Sequence, residues 1–193
     1  LFMTSYPVMQ PGERFTLDRI TDYLDLAIDS GVTTVVMNGN AQAPWYPSRH
    51  VPWVLTGYQR GDRSFFRGVF PPLSDTLTEE QLEAALDRME RLAACMLDLS
   101  DAGVDWFREV AEHCRRRGVG AWASIRMNDA HGSNSWEKAF FNAPPQRDPQ
   151  CRLPGHGVDR DAPTRRNRQL RDYANPRVRD YMLELIRDAV QNY

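Results

Sequence analysis

The chain reads as α/β with a parallel sheet, of the (β/α)8 TIM-barrel type, with only about the first half of the barrel present. Three observations carry this expectation. Patterned segments follow the order helix, strand, long loop, helix, possible strand, helix, strand, long loop, helix. The stretch from Val119 to Asn134, VGAWASIRMNDAHGSN, runs from an alternating strand straight into a polar loop. The pattern also stops where another strand is due, and two or three parallel strands alone would leave a raw edge. Residues 1–193 are therefore expected to form a single partial domain, with long rim loops at about 41–77 and 129–174 and the remainder of its own barrel as a partner.

Leu1 to Glu13 carries two prolines and no periodicity, and reads as a lead-in. Thr16 is placed to cap a helix whose apolar face is Leu17, Ile20, Leu24, Ala27 and Ile28, stopped by Ser30 and Gly31. Val32 to Gly39 follows as a β-branched run of strand length, with Asn38, Gly39 and Asn40 at its end. From Ala41 to Leu77, Trp45, Tyr46, Trp53, Tyr58, Phe65, Phe66 and Phe70 alternate with prolines. A loop this long in a compact domain is either functional or folded on a small core of its own. Exposed rings could stack on sugars, whereas packed rings would form a mini-core. Arg49 and His50 are too isolated to assign.

Thr78 with Gln81 fits a capping box, opening a helix with Leu82, Ala85, Leu86, Met89, Leu92 and Ala93 inward. Cys95 to Leu99, CMLDL, reads as a short strand or the helix end, with strand favoured. Asp105 caps the next helix, which turns Phe107, Val110, Ala111 and Cys114 inward, and Arg115 to Arg117 favour the negative end of its dipole. His113 on that helix is expected at the surface. The mixed charges from Asp159 to Asp172, Arg171 among them, read as a solvated face. Asn175 before Pro176 is a cap followed by an N1 proline, and Val178, Tyr181, Met182, Leu185, Ile186 and Ala189 give the last helix its apolar face.

In the strand that starts at Val119, successive side chains point to opposite faces. Val119, Ala121, Ala123, Ile125 and Met127 form an apolar face toward the helices. Trp122, Ser124, Arg126 and Asn128 form the other, with Asp129 and His131 on the rim beyond. Ligands of α/β folds gather at the carboxyl ends of strands. A purely structural alternative pairs Arg126 with Asp129 at the rim.

Hydrophobic residues make up 41% of the chain, enough for a core, and the net charge of −2 gives no electrostatic case for nucleic acid or an anionic membrane. No apolar run approaches the ~18 residues of a membrane span. Cys95, Cys114 and Cys151 are odd in number and far apart, which suits reduced thiols rather than a zinc site or disulfides. No cofactor or resident metal is expected, and localisation stays open because no signal pattern is visible.

Three stretches, NGNAQAPWYPS at Asn38 to Ser48, GVDWFREVAEHCRRRGVGAWASIRMND at Gly103 to Asp129 and LRDYANPRVRDYMLELIRDAVQNY at Leu170 to Tyr193, resemble the amino-terminal half of bacterial glycosyl-hydrolase-like (β/α)8 barrels. The resemblance implies a sugar-active barrel whose catalytic acids would lie on a strand beyond Tyr193. Glycoside hydrolysis uses two carboxylates flanking one bond, and Asp129 is the one acid within the chain placed at a strand end, a weak candidate for catalysis. Asn38, Asn40, Arg126, Asn128, Asp129, His131 and Trp136 are the expected substrate-binding residues, since amide and guanidinium groups satisfy sugar hydroxyls directly. The expected function is a glycoside hydrolase-like protein acting on or binding a carbohydrate. A non-catalytic carbohydrate-binding or scaffold barrel is the alternative, and a metal-dependent hydrolase using Asp129 and His131 a weaker one.

Overall fold

The computed structural model describes residues 13–67, 78–129, 142–153 and 170–193. Helix α1 (Asp18–Asp29) turns Ile20 and Leu24 inward. Leu17 occupies its N-cap position without a side-chain bond, so Thr16 is not the cap; the helix is held by burial rather than capping. It ends at Ser30, and Gly31 takes a φ of +98°, the left-handed conformation that glycine adopts without a Cβ clash. Strand β1 (Thr34–Asn38) follows at once.

The loop after β1 has a core of its own. Its short helix α2 (Ser64–Arg67) brings Phe66 to the buried side, where Phe66, Val54 and Leu55 pack against Leu86 and Ala93 of helix α3 (Glu79–Asp101). Trp45, Trp53, Tyr58 and Phe65 pack around that cluster, so these rings are core rather than exposed platforms; Phe70 lies outside the described residues. The capping box of α3 is complete: Gln81 N donates to Thr78 Oγ1 at 3.2 Å and Thr78 N to Gln81 Oε1 at 3.0 Å. The helix runs through Cys95 to Leu99, which corrects the expected strand. Leu92, Cys95, Met96 and Leu99 are all buried at helical spacing, and one long apolar stripe wins over a short isolated strand.

Helix α4 (Trp106–Arg116) starts on Asp105, whose carboxylate accepts from Arg108 N at 3.3 Å, and buries Phe107, Val110, Ala111 and Cys114. His113 is also buried, contrary to its expected surface position, because its Nε2 meets the Asp25 carboxylate of α1 at 2.7 Å. Arg117, just past the helix, binds Asp25 and Asp29, so it ties two helices together besides facing a helix end.

Strand β2 (Gly120–Ser124) lies parallel to β1, with Thr34 opposite Gly120, Val36 opposite Trp122 and Asn38 opposite Ser124. A Cβ on Gly120 would stand 3.2 Å from Thr34 Oγ1, so glycine there suits the close register. Met37 and Phe107 are buried in one cluster with Ile20, Leu24, Val110 and Cys114, and Val35, Val119 and Ala121 pack against it. Helices α1 and α4 therefore cover one face of the sheet. Past β2 come helix α5 (Pro144–Arg147), a 3-10 turn at Pro149–Cys151 and helix α6 (Pro176–Asn192). Asn175 caps α6 through its carboxamide, which accepts from Arg177 N, and Val51, Ala143, Tyr181, Met182 and Leu185 form a third apolar cluster.

This is not a (β/α)8 barrel. The described residues are about 52% helix and 10% strand, with a single two-stranded parallel sheet. Helix–strand alternation implies parallel neighbours joined by helical crossovers, and that relation holds between β1 and β2. It does not fix the number of strands, and the stretch counted as a possible third is helical.

Candidate functional site

The carboxyl end of the sheet gathers most of the residues that sequence reasoning singled out and that fall among the described ones. The ladder continues past Asn38 with Gly39 N donating to Ser124 O at 3.0 Å. Asn40 then extends it with a side chain. Its Oδ1 accepts from Arg126 N at 2.8 Å, and its Nδ2 donates to Arg126 O at 3.2 Å and to Ala41 O at 2.6 Å. The residue is fully buried, so its carboxamide organises the strand ends rather than facing solvent.

Arg126 directs its side chain to the turn that follows. Nη1 lies 2.9 Å from Asp129 Oδ2; the Asp129 side chain is 0% exposed, whereas that of Arg126 is 44% exposed. The turn itself hangs on a residue that sequence reasoning placed on a solvated face. Arg171 is only 5% exposed, and its guanidinium donates to Met127 O at 2.6 Å and to Asp129 O at 3.4 Å. With the Gln146 amide turned so that its nitrogen donates to Ala143 O, its oxygen accepts from Arg171 Nε at 2.7 Å. Tyr173 adds its hydroxyl to Met127 O. Arg171 is brought in by antiparallel pairing of its segment with the 3-10 turn, in which Leu153 N donates to Leu170 O at 2.8 Å and Asp172 N to Cys151 O at 2.9 Å. It stands in a run rich in charged residues, so no local signal marked it.

The sheet face opposite the helices is open. Trp122 is 67% exposed and its cross-strand partner Val36 is 61% exposed. The next pair in register, Asn38 and Ser124, lies toward the strand ends, with Arg126 two residues beyond Ser124. Asn128 is exposed in the turn. His131 and Trp136 lie outside the described residues.

A second polar cluster clasps the aromatic loop to α6. His50 Nδ1 lies 3.2 Å from Glu184 Oε2 and its Nε2 3.9 Å from Asp188 Oδ1. Asp188 is fully buried and also accepts from Asn192 Nδ2 at 2.8 Å. Burial, and then the negative charge of Asp188, push the Tyr46 phenol well above its ordinary pKa. Burial and Asp105 do the same to Tyr193, whose hydroxyl donates to Asp105 Oδ2 at 2.9 Å. Both phenols thus stay protonated at neutral pH. The signal in the sequence was the Glu184 and Asp188 spacing on one helix face, but their partner His50 comes from 134 residues away.

Among the described residues, no group of three or more His, Cys, Asp or Glu side chains could hold a metal ion, and no helix is long and apolar enough to cross a membrane. No protein-family model matches the chain, and no curated protein matches it.

Proposed function

We propose that the chain binds a carbohydrate on the open face of its sheet, with the Trp122 indole as the stacking platform. The observation that carries this reading is the 67% exposure of Trp122 in the middle of a strand, across from an equally open Val36. A large aromatic ring left in water forfeits burial worth about 2 kcal/mol or more. Exposed apolar area with polar groups at its edge marks an interaction surface. Asn38 and Ser124, paired in register beside it, supply amide and hydroxyl groups suited to sugar oxygens. The resemblance of three stretches to glycosyl-hydrolase-like proteins points to the same ligand class.

The reading is binding rather than cleavage by the strand-end acid. Asp129 has its carboxylate sunk beneath Arg126, where it holds the arginine instead of meeting a glycosidic bond.

The test is a titration of the chain with a panel of oligosaccharides, followed calorimetrically and through indole emission. One or more should bind, and Trp122→Ala should weaken that binding at least about tenfold, a loss of some 1.4 kcal/mol. A panel without any binder, or a Trp122→Ala variant that binds as tightly as the parent, would sink the proposal.

A further inference from the structure

We infer that the glycan bound at this face is acidic, its carboxylate held by Arg126; the inference rests on the carbohydrate reading above. Among the described residues of the strand-end constellation, Arg126 is the cation that reaches solvent. Trp122, Ser124 and Arg126 alternate along one chain, so they share a side of the strand and its continuation, and four extended residues span at most about 13 Å. A ring stacked on Trp122 and a carboxylate on a neighbouring ring fit within that reach.

The guanidinium is prepared for such a group. Its Nη1 forms an ion pair with Asp129 Oδ2 at 2.9 Å, and its backbone is clamped on both sides by Asn40. Among the described residues the Nε and Nη2 edge has no partner, and the side chain is 44% exposed. That edge is the side of the fork that takes a carboxylate through two parallel hydrogen bonds. An arginine already anchored by one nitrogen loses little rotamer freedom when the rest of the fork is engaged.

Asp129 does not cancel the attraction. Its carboxylate is completely buried below the arginine, and the Arg171 guanidinium donates to the Asp129 carbonyl at 3.4 Å. Among the described residues, the guanidinium groups of Arg126 and Arg171 and the Asp129 carboxylate meet at this turn, and Arg126 is the one of the three that is exposed.

The probe pair is an oligogalacturonate and the same oligomer with its carboxyl groups methyl-esterified, which keeps the ring and removes the charge. The parent chain should bind the acid at least about tenfold more tightly than the ester, and added salt should narrow that gap. In Arg126→Gln the two should bind within about twofold of each other, while Arg126→Lys, keeping the charge but not the fork, should retain part of the preference. Equal binding of acid and ester by the parent chain would overturn the inference and leave the carbohydrate reading standing. Failure of both oligomers, together with every neutral oligosaccharide, would overturn both. The comparison on the parent chain decides the matter even if a variant fails to fold.

Discussion

The carboxamide of Asn40 holds both the N–H and the C=O of Arg126, a residue 86 positions away, at 2.8 and 3.2 Å. One buried side chain thereby does what another rung of backbone pairing would do, and it fixes the point from which the Arg126 side chain departs. Replacing Asn40 by Ala leaves both partly buried backbone groups without this partner and should cost about 1 kcal/mol. Denaturant unfolding measures the loss, and faster hydrogen exchange at the Arg126 amide would assign it to this contact. An unchanged unfolding midpoint would rule the clamp out.

Arg171 carries the turn below. A buried guanidinium satisfied by carbonyl oxygens is costly to remove, because the carbonyls of Met127 and Asp129 both lose the bond from Arg171, Met127 keeping the Tyr173 hydroxyl. Arg171→Met should destabilise the chain by about 3 kcal/mol, whereas a surface arginine such as Arg88 should change stability by less than about 0.5 kcal/mol when replaced. Thermal melts of the two variants make the comparison.

The α1–α4 contact predicts an acid sensitivity. The hydrogen bond from His113, with the Arg117 charge beside it, holds the Asp25 carboxyl below its ordinary range. A carboxyl whose folded pKa is depressed contributes stability that is present above the unfolded value of about 3.9 and disappears as pH falls through the folded pKa. The gap in stability between the parent chain and Asp25→Asn should therefore shrink as the pH falls from about 4 toward about 2. A gap independent of pH across that window would mean that Asp25 is not coupled to His113.

The thiols should be nearly inert in the folded chain. Burial first, and the charge of Asp98 second, push the Cys95 thiol up to about 11, and burial raises Cys114 and Cys151 as well. At pH 8 the Cys95 thiolate is then about one part in a thousand. A thiol reagent should label the native protein slowly and find three reactive groups after denaturation. Rapid labelling of Cys95 in the native state would contradict its buried position.

The helices were legible wherever a local signal coincided with burial. Thr78 with Gln81, Asp105, and Asn175 before Pro176 each mark a start through chemistry contained within a few residues. The strand pair was legible too, through β-branched composition at one end and alternation at the other. Cys95 to Leu99 was not, because five apolar-rich residues suit a strand and a helix equally, and only their continuity with Leu92 and Ala93 decides. The barrel failed for a related reason: alternation sets the relation between neighbouring strands, not their count. His113, His50 and Arg171 share another cause. Each is defined by partners tens of residues away, and a charged or polar residue gives no local hint that tertiary structure pairs it, or, for His113 and Arg171, buries it.

At the candidate site, the alternation of the β2 segment foretold which residues share a side with Trp122. It could not foretell that Asn40 would turn inward onto the backbone of Arg126, since an asparagine at a strand end suits either role.

The parallel pairing of β1 with β2 also sets an order of events during folding. Antiparallel strands can zip from a tight turn, but these two strands are separated by all of α3 and α4, so no rung forms until a long stretch of chain has been gathered. The helices can nucleate locally on their own caps and meet through Phe107 and its neighbours before the strands register. Assembly of the sheet is then a late step, and Trp122 and Arg126 acquire their common side only after the rest of the chain has committed to its shape.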